Sequence, residues 1–373
     1  MLQKNKKKKK VCFVLQGAFP YFAPTNNKMS GGAELQLFYL STELAKNENF
    51  NISFIVGDFE QNDIEIINNV KLIKSFNATR KDSILKKISQ AKKFFNILRK
   101  EKPDIIISTT NNSLVLLCSI YSKTHKAKHI HRIAHNKDTG FERIKEFGIT
   151  ARLYSKGMRT ADKILVQNTE QQNALLKNFN KKSVIFKNVF HVKKQPQTKK
   201  KHILWVSRFQ KWKNPDLFVK LASNIPDYNF IMICPYNNYN PEAWLDLQNK
   251  AKQISNLEFI EYVPFNEIQI FFNEAIAFVN TSDFEGFPNT FLQAAQGNTP
   301  IISLNVNPDN FLTKYDCGIF CNNNFELLVK KTKQLLQNNE TLIQKGENAF
   351  KYIQENHNID IISKQLEQII LSL

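Results

Sequence analysis

No apolar run in this chain reaches the roughly 18 residues a helix needs to cross a bilayer. Cysteine is scarce, with five in 373 residues: Cys12, Cys118, Cys234, Cys317 and Cys321, each inside an apolar segment. The closest pair, Cys317 and Cys321, lacks companion ligands for zinc. A disulfide scaffold and a zinc-held module are therefore not expected, and a reducing cytosol suits the sequence best. Behind Lys6 to Lys10, the run Val11 to Leu15 is too short for the apolar core of a secretion signal. It leads directly into Gly17, Phe19 and Pro20, so a leader is not expected. Internal repeats and low-complexity tracts are also missing, apart from the lysine run.

Hydrophobic residues make up 42% of the sequence and aromatic residues 12%, including 30 Phe. That excludes global disorder, and the length suits two domains of about 150 to 200 residues. Charge is uneven. Residues 1–200 hold 38 Lys and Arg against 15 Asp and Glu, or +23, while residues 201–373 carry −4, together the +19 of the whole chain. A polycationic half calls for an anionic partner such as a membrane, a charged saccharide or nucleic acid. An AT-rich coding bias toward Lys and Asn is the alternative, but bias should load both halves.

Short buried-strand runs at Val11–Leu15, Ile52–Val56, Ile105–Ser108, Ile130–Ala134 and Lys163–Val166 alternate with helical stretches, the pattern of βαβ units on a parallel sheet. The polar, basic, Pro-containing segment 194–201 reads as a linker. The pattern restarts at His202–Val206, Asn229–Ile233, Leu257–Ile260, Ala277–Asn280 and Pro300–Ser303. The expected organisation is a disordered basic tail over 1–10, a first Rossmann-like domain over 11–193, the linker 194–201, a second over 202–357 and a terminal helix over 358–373. The terminal helix has an apolar stripe that needs a packing surface. Two such doubly wound α/β domains place a ligand cleft between the carboxyl ends of their sheets.

Two stretches carry chemistry. In Asn280 to Ala295 a strand ends and a helix begins near Pro288, with Glu285 just outside it and Gln293 two turns inside. The helix N-terminus, with the amides of Asn289 and Thr290, suits an anion. In Leu204 to Asp216 a strand runs into a loop with Arg208 and Lys213, donors able to bracket a diphosphate. Each stretch also reads as an ordinary strand, loop and helix with solvated charges.

Ser207-Arg208-Phe209, Lys213, and Phe278 to Ala295 with Glu285 eight positions before Gln293 resemble the retaining GT-B glycosyltransferases, in particular glycosyltransferase family 4. The likeness extends to Gly31-Gly32-Ala33-Glu34, to Ile130 through His135-Asn136, and to Ala161 through Val166 with Asn168. It implies a GT-B fold, with the two domains facing each other across a cleft, and transfer of a sugar with retention from a nucleotide diphosphate sugar, UDP- or GDP-linked, to a saccharide or lipid-linked acceptor. Cell-surface polysaccharide or glycolipid synthesis is the implied setting. Residue by residue, Arg208 and Lys213 would hold the diphosphate, and Glu285 would lie beside the sugar. Backbone of Gly286, Phe287 and Pro288 would sit near sugar hydroxyls, the amides of Asn289 and Thr290 near phosphate, and Val263 near the base. Gln293 would meet the ribose, Gly31 and Gly32 would admit the diphosphate, and His135 would lie near the transferred sugar. Gln293 stands where the family usually has glutamate, at a loss on the order of 1 kcal/mol if geometry survives.

No strict Asp-x-Asp triplet exists. Asp58-x-Glu60, Asp63-x-Glu65 and Asp283-x-Glu285 come nearest, so neither a metal nor any other cofactor is expected. His129 and His131 share one strand face without a third metal ligand, and a strand edge or surface is their expected place. Ile84, Leu85, Ile88, Ala91, Phe94, Phe95 and Leu98 form a stripe opposite Lys86, Lys87, Lys92, Lys93, Arg99 and Lys100. It reads as a crossover helix buried on the first sheet with its lysines toward lipid headgroups. The expected protein is a cytosolic enzyme, peripheral on the inner face of the membrane through its basic half, with no nucleic-acid partner. A non-catalytic GT-B scaffold subunit and a GT-B epimerase are the alternatives. Loops at Pro20–Ser30 and Asn136–Phe147 would set the acceptor.

Overall fold

The computed structural model describes residues 8–23, 31–77, 82–110, 112–196, 198–236 and 240–373. Contacts divide the chain into two units, one of Met1–Phe190 with Ile359–Leu373 and one of His191–Asn358. The first runs β1 (Lys9–Val14), α1 (Phe19–Phe22), α2 (Gly32–Leu44), β2 (Phe50–Val56), β3 (Ile64–Ile67), β4 (Val70–Lys74), α3 (Ile84–Glu101), β5 (Ile105–Ser108), α4 (Leu114–Thr124), β6 (Lys128–Arg132), α5 (Glu142–Thr160), β7 (Lys163–Val166), α6 (Thr169–Phe179) and β8 (Val184–Ile185). Its sheet has the order β3-β4-β2-β1-β5-β6-β7-β8. All neighbours are parallel except the β3-β4 hairpin. Strand order reverses between β1 and β5, which makes their carboxyl ends the switch point.

The second unit runs β9 (His202–Val206), α7 (Pro215–Ser223), β10 (Phe230–Ile233), α8 (Pro241–Lys252), β11 (Leu257–Ile260), α9 (Ile268–Glu274), β12 (Ala275–Asn280), α10 (Asn289–Gln296), β13 (Ile301–Ser303), α11 (Phe311–Lys314), β14 (Gly318–Phe320), α12 (Phe325–Leu336) and α13 (Asn339–Asn356). Its parallel sheet has the order β11-β10-β9-β12-β13-β14, with the reversal between β9 and β12. The last helix, α14 (Ile359–Leu371), belongs to the first unit. Its stripe of Ile359, Ile362, Leu366 and Ile370 is buried in the same core as Leu37, Leu40 and Leu44 of α2. Lys9 Nζ adds a hydrogen bond to the Ile370 carbonyl at 2.9 Å.

Several expectations need correction. The first strand starts at Lys9, so Lys9 and Lys10 belong to the sheet rather than to a tail, and Lys10 N donates to Asp104 Oδ2 at 2.8 Å. Lys6 and Lys7 lie outside the described residues. The segment read as a linker lies along the second unit: Thr198 Oγ1 donates to the Asn273 carbonyl and Lys200 Nζ to the Gly297 carbonyl, both at 2.8 Å. Only the second half of the α3 stripe is fully buried, at Phe94 and Leu98, while Ile84, Leu85 and Ile88 stand exposed. All five cysteines are free and buried, and burial pushes the thiols of Cys12, Cys234 and Cys317 up to about 12.

His129 and His131 are neither at an edge nor at the surface: β6 lies between β5 and β7, and both side chains are buried. Each sits in a continuous hydrogen-bonded chain. Ser119 Oγ donates to the Gly157 carbonyl at 2.7 Å and therefore accepts from His129 Nδ1 at 2.8 Å. His129 Nε2 is then left to accept from Ser108 Oγ at 2.8 Å, Ser108 Oγ to accept from His131 Nδ1 at 2.9 Å, and His131 Nε2 to accept from the Tyr154 hydroxyl at 3.2 Å. One hydroxyl proton fixed at Gly157 thus sets both tautomers and the direction of the whole run. Gly157 is required by close approach, since a Cβ there would lie 2.3 Å from Leu116 N of α4.

Both imidazoles are neutral in this run, and burial pulls His129 down to about 3 and His131 well below its usual value. A base whose folded pKa is depressed leaves the unfolded chain binding more protons below about pH 6.5, so stability is lost as pH falls from there. Denaturation followed by circular dichroism should show the first unit losing up to about 1.4 kcal/mol per pH unit per histidine between pH 6.5 and 5. His131→Gln should flatten that dependence, and a wild-type midpoint unchanged between pH 7.5 and 5 would contradict the assignment.

Candidate functional site

The switch point of the second sheet brings two loops side by side, because β9 and β12 are adjacent parallel strands whose connections leave from the same end. After β9 the chain makes a 3-10 turn at Lys211–Lys213 and then Asn214, whose φ of +46° places it in the left-handed region before Pro215 opens α7. Asparagine tolerates that region, and proline suits a first helical turn. After β12 the chain passes Thr281, Asp283 and Glu285 before α10 begins at Asn289 behind Pro288.

The loops are stitched together residue for residue. Lys213 Nζ forms an ion pair with Glu285 Oε1, both side chains being mostly buried. Asn214 Nδ2 donates to Asp283 Oδ1 at 2.5 Å and to the Thr281 carbonyl at 3.1 Å. Thr281 Oγ1 donates to the Lys213 carbonyl at 2.6 Å and accepts from Trp205 Nε1 at 3.0 Å. Asp283 N donates to the Trp212 carbonyl at 2.8 Å, and the rings of Trp212 and Phe284 stack with centroids 5.9 Å apart. Sequence reasoning singles out Lys213 and Glu285, and Asp283 only as half of a near-miss carboxylate pair; it does not single out Thr281, Asn214 or the Trp212–Phe284 stack. The signal available was Asn214-Pro215, a dipeptide that marks a forced turn.

Around this seam, Gly286, Phe287 and Pro288 are buried. The Phe287 ring lies 4.5 Å from that of His357 and 5.1 Å from that of Phe311, so it anchors the loop into an aromatic cluster. Asn289 and Thr290 form the first turn of α10, where backbone amides point along the axis toward the same loop. Gln293 lies about one turn on, 8% exposed. Arg208 is exposed at the mouth of the β9 loop, without an ion pair among the described residues. Val263 is half-buried in the loop after β11, two strands and about 10 Å across the sheet from β9.

The first unit holds the other expected residues. His135 follows β6, and its Nδ1 accepts from Lys137 N at 3.1 Å, which leaves the proton on Nε2 and makes that atom a donor. The turn around it is held by Gln167, whose amide donates to the Ile133 and Ala134 carbonyls at 3.1 and 3.0 Å. Asn136 is fixed by Glu170 and Gln171 of α6. Asn168 caps that helix through Gln171 N at 2.8 Å. Gly31 caps α2 with φ −94°, a conformation open to any residue, so what glycine contributes there is the lack of a side chain. The loop expected at Asn136–Phe147 is largely helical, with a 3-10 turn at Asn136–Thr139 and α5 from Glu142. Of Pro20–Ser30, Pro20 to Phe22 lie in α1 and 24–30 lie outside the described residues.

Two doubly wound parallel-sheet units, the second with a cationic loop against a helix N-terminus at its switch point, define the GT-B fold. Comparisons with known proteins agree. Residues 186–352 match the family of glycosyl transferases group 1. In sequence the chain is 31% identical over 134 residues to the O-antigen chain mannosyltransferase RfbU of Salmonella typhimurium, covering 31% of this chain and 37% of that protein. It is 23% identical over 159 residues to glycosyltransferase 1 domain-containing protein 1 of Xenopus tropicalis, covering 42% and 45%. The chain thus spans less than half the length of these two relatives. In structure it resembles Anabaena HepE solved with UDP and glucose (TM-score 0.77, 14% identity, 98% of this chain and 100% of that one). It also resembles sucrose-phosphate synthase of Thermosynechococcus elongatus (TM-score 0.80, 14% identity, 98% and 99%).

All three tryptophans, Trp205, Trp212 and Trp244, belong to the second unit, so their fluorescence reports its unfolding. Lys213→Ala should destabilise that transition by about 1 to 3 kcal/mol, because it strands a mostly buried Glu285 carboxylate. Lys213→Ala with Glu285→Ala should recover part of the loss, and Arg208→Ala should stay within about 0.5 kcal/mol. An additive double-mutant cycle would mean that the pair is not coupled.

Proposed function

We propose that this chain is a glycosyltransferase that moves a sugar, with retention of anomeric configuration, from a nucleotide diphosphate sugar to a saccharide or lipid-linked acceptor. The observation that carries the reading is the Lys213–Glu285 pair beside the N-terminus of α10, at the switch point of a segment matching glycosyl transferases group 1. In the transfer, the bond between the sugar's anomeric carbon and the diphosphate oxygen breaks, and the electron pair stays on that oxygen. The acceptor hydroxyl bonds to the anomeric carbon on the same face, and its proton passes to the departing phosphate oxygen. Lys213, Arg208 and the amides of Asn289 and Thr290 stabilise the charge that develops there, which lowers the barrier only so far as they bind the separated state better than the intact donor. Glu285 holds Lys213 in place and lies beside the sugar. Val263 faces the base and Gln293 the ribose, and the family resemblance supports His135, a donor at Nε2, as a partner for a sugar hydroxyl.

The donor is a UDP or GDP sugar, a reading that the UDP-glucose complex of HepE supports. The likeness to the O-antigen chain mannosyltransferase RfbU supports a cell-surface polysaccharide as the product. A metal is not needed in this scheme: Asp283 and Glu285, the nearest approach to a carboxylate pair, are engaged by Asn214 and Lys213 separately. A second reading, a GT-B subunit that binds without turnover, is favoured by Gln293, since an amide replaces the expected carboxylate at the ribose.

Thermal shift with UDP, GDP and ADP and their sugars should raise the melting temperature for one nucleotide series, and slow hydrolysis of the matching sugar nucleotide should follow. Lys213→Ala and Arg208→Ala should each lower turnover by a few kcal/mol of transition-state stabilisation, with little response to chelator. Gln293→Glu should bind the nucleotide as tightly or more so. Binding without hydrolysis or transfer would select the scaffold reading, and no nucleotide shift at all would reject both.

A further inference from the structure

The two most exposed large hydrophobic side chains among the described residues are neighbours, Leu85 at 80% and Ile84 at 76%, and Ile88 one turn on is 48% exposed. All three lie in the first two turns of α3, where residues 83–89 are exposed without exception. Burial of the helix begins only with Phe94 and Leu98. These are two different faces. With 3.6 residues per turn, Ile84, Leu85 and Ile88 occupy an arc of about 100°, centred about 110° from the face of Phe94 and Leu98. Lys92 and Arg99 fall within the exposed arc by the same spacing, as does the half-buried Phe95, which turns onto the core beside Tyr121, so that face carries an apolar tip followed by two cations that flank one anchoring ring. Leu85 lies about 10 Å and Ile88 about 6 Å along the axis from Lys92.

We propose that this face of α3 is a lipid-docking wedge: Ile84, Leu85 and Ile88 insert at the headgroup boundary of an anionic bilayer while Lys92 and Arg99 meet lipid phosphates. Charge complementarity selects the occupant. The helix carries Lys86, Lys87, Lys92, Lys93, Arg99 and Lys100 against the single acid Glu101, within a half-chain of +23. An apolar tip followed by cations is the pattern of an interfacial helix, where buried apolar area and attraction to anionic lipid add. The first turns also sit where docking has a use. The helix starts from the carboxyl end of β4, and β4 is parallel to β2, β2 to β1, β1 to β5 and β5 to β6. The wedge therefore leaves the same end of the sheet as His135 after β6 and Gly31-Gly32 after β1. Ser83 caps the helix through Lys86 N at 3.3 Å, and the buried Asp82 pairs with Lys86 at 2.8 Å and accepts from Gln90 at 2.9 Å, so this end is held as helix by its own polar contacts.

The inference deepens the lipid-linked acceptor of the proposed function but stands on geometry of its own. The full chain should co-sediment with vesicles of phosphatidylglycerol and phosphatidylcholine and not with pure phosphatidylcholine, and the binding should weaken as salt passes about 0.15 M. Ile84→Asn with Leu85→Asn and Ile88→Asn should weaken vesicle binding at least about tenfold. Circular dichroism and donor hydrolysis should be unchanged, because these side chains are exposed, belong to no buried core cluster and lie outside the donor loops of the sequence. Leu85→Trp should add a blue-shifted emission component only with anionic vesicles. Undiminished binding of the triple variant, or binding without the shift, would overturn the wedge. Self-association without vesicles that the triple variant abolishes would assign the face to a second copy and also overturn it. Absence of hydrolysis in a wild type that binds vesicles counts against the enzyme and leaves the wedge standing.

Discussion

Adjacent parallel strands that lead in opposite directions impose one constraint on the second unit: the loops leaving β9 and β12 emerge side by side and have no helix between them. Such a crevice exposes backbone groups and must satisfy them from across the gap. Thr281 and Asn214 do this with hydroxyl and amide bonds to carbonyls, and Asp283 does it through its backbone N–H. Once these bonds are made, Lys213 and Glu285 have little freedom left, and their ion pair follows from the stitching rather than causing it. The Phe287 cluster then fixes the far end of the loop so that α10 starts where its amides face the seam. Preorganisation of this kind is what an anion site needs, since donors already in place cost no reorganisation when charge arrives.

The first unit solves a different problem, a pair of imidazoles in the middle of a sheet. Burying them is tolerable because every ring nitrogen and both serine hydroxyls have a partner, and a polar run left half satisfied would cost more than an apolar one. The run also joins β5 and β6 to α4 and α5 at the Gly157 crossing, where the two helices already pack closely. His135 lies three residues beyond β6, so its turn starts from a strand that the buried run ties to α4 and α5.

What could be read from residues alone divides along the same line. Strands buried on both faces announce themselves as apolar runs, and ten of the expected runs correspond to observed strands. Those not anticipated were β3 and β4, β8 and β14, which are short or lie toward a sheet edge where half-exposed residues blur the pattern. Lys213 and Glu285 were legible because their loops follow recognisable strands and each is contiguous in sequence. Asn214 with Asp283 was not, because a bond across 69 residues leaves no local trace. His129 and His131 were misplaced for a related reason: polar residues usually mean a surface, and only the serines of two other elements, distant in sequence, reverse that. The stripe on α3 misled in the opposite sense. Helical spacing joined Ile84 to Leu98 as one face, whereas the arc is wide enough to hold two.

That split face bears on the charge asymmetry of the chain. A half-chain of +23 raises solubility and attracts any polyanion, and by itself it distinguishes neither lipid from saccharide nor docking from steering. Surface charges also weaken within a Debye length of about 8 to 10 Å, so most of those cations act on nothing in particular. Apolar side chains have no such reach and no such ambiguity. In the docking proposed above, three of them on a capped helix turn a diffuse attraction into a defined contact. In that proposal the basic half supplies attraction and the apolar tip supplies register, while residues 201–373, at −4, add nothing to either.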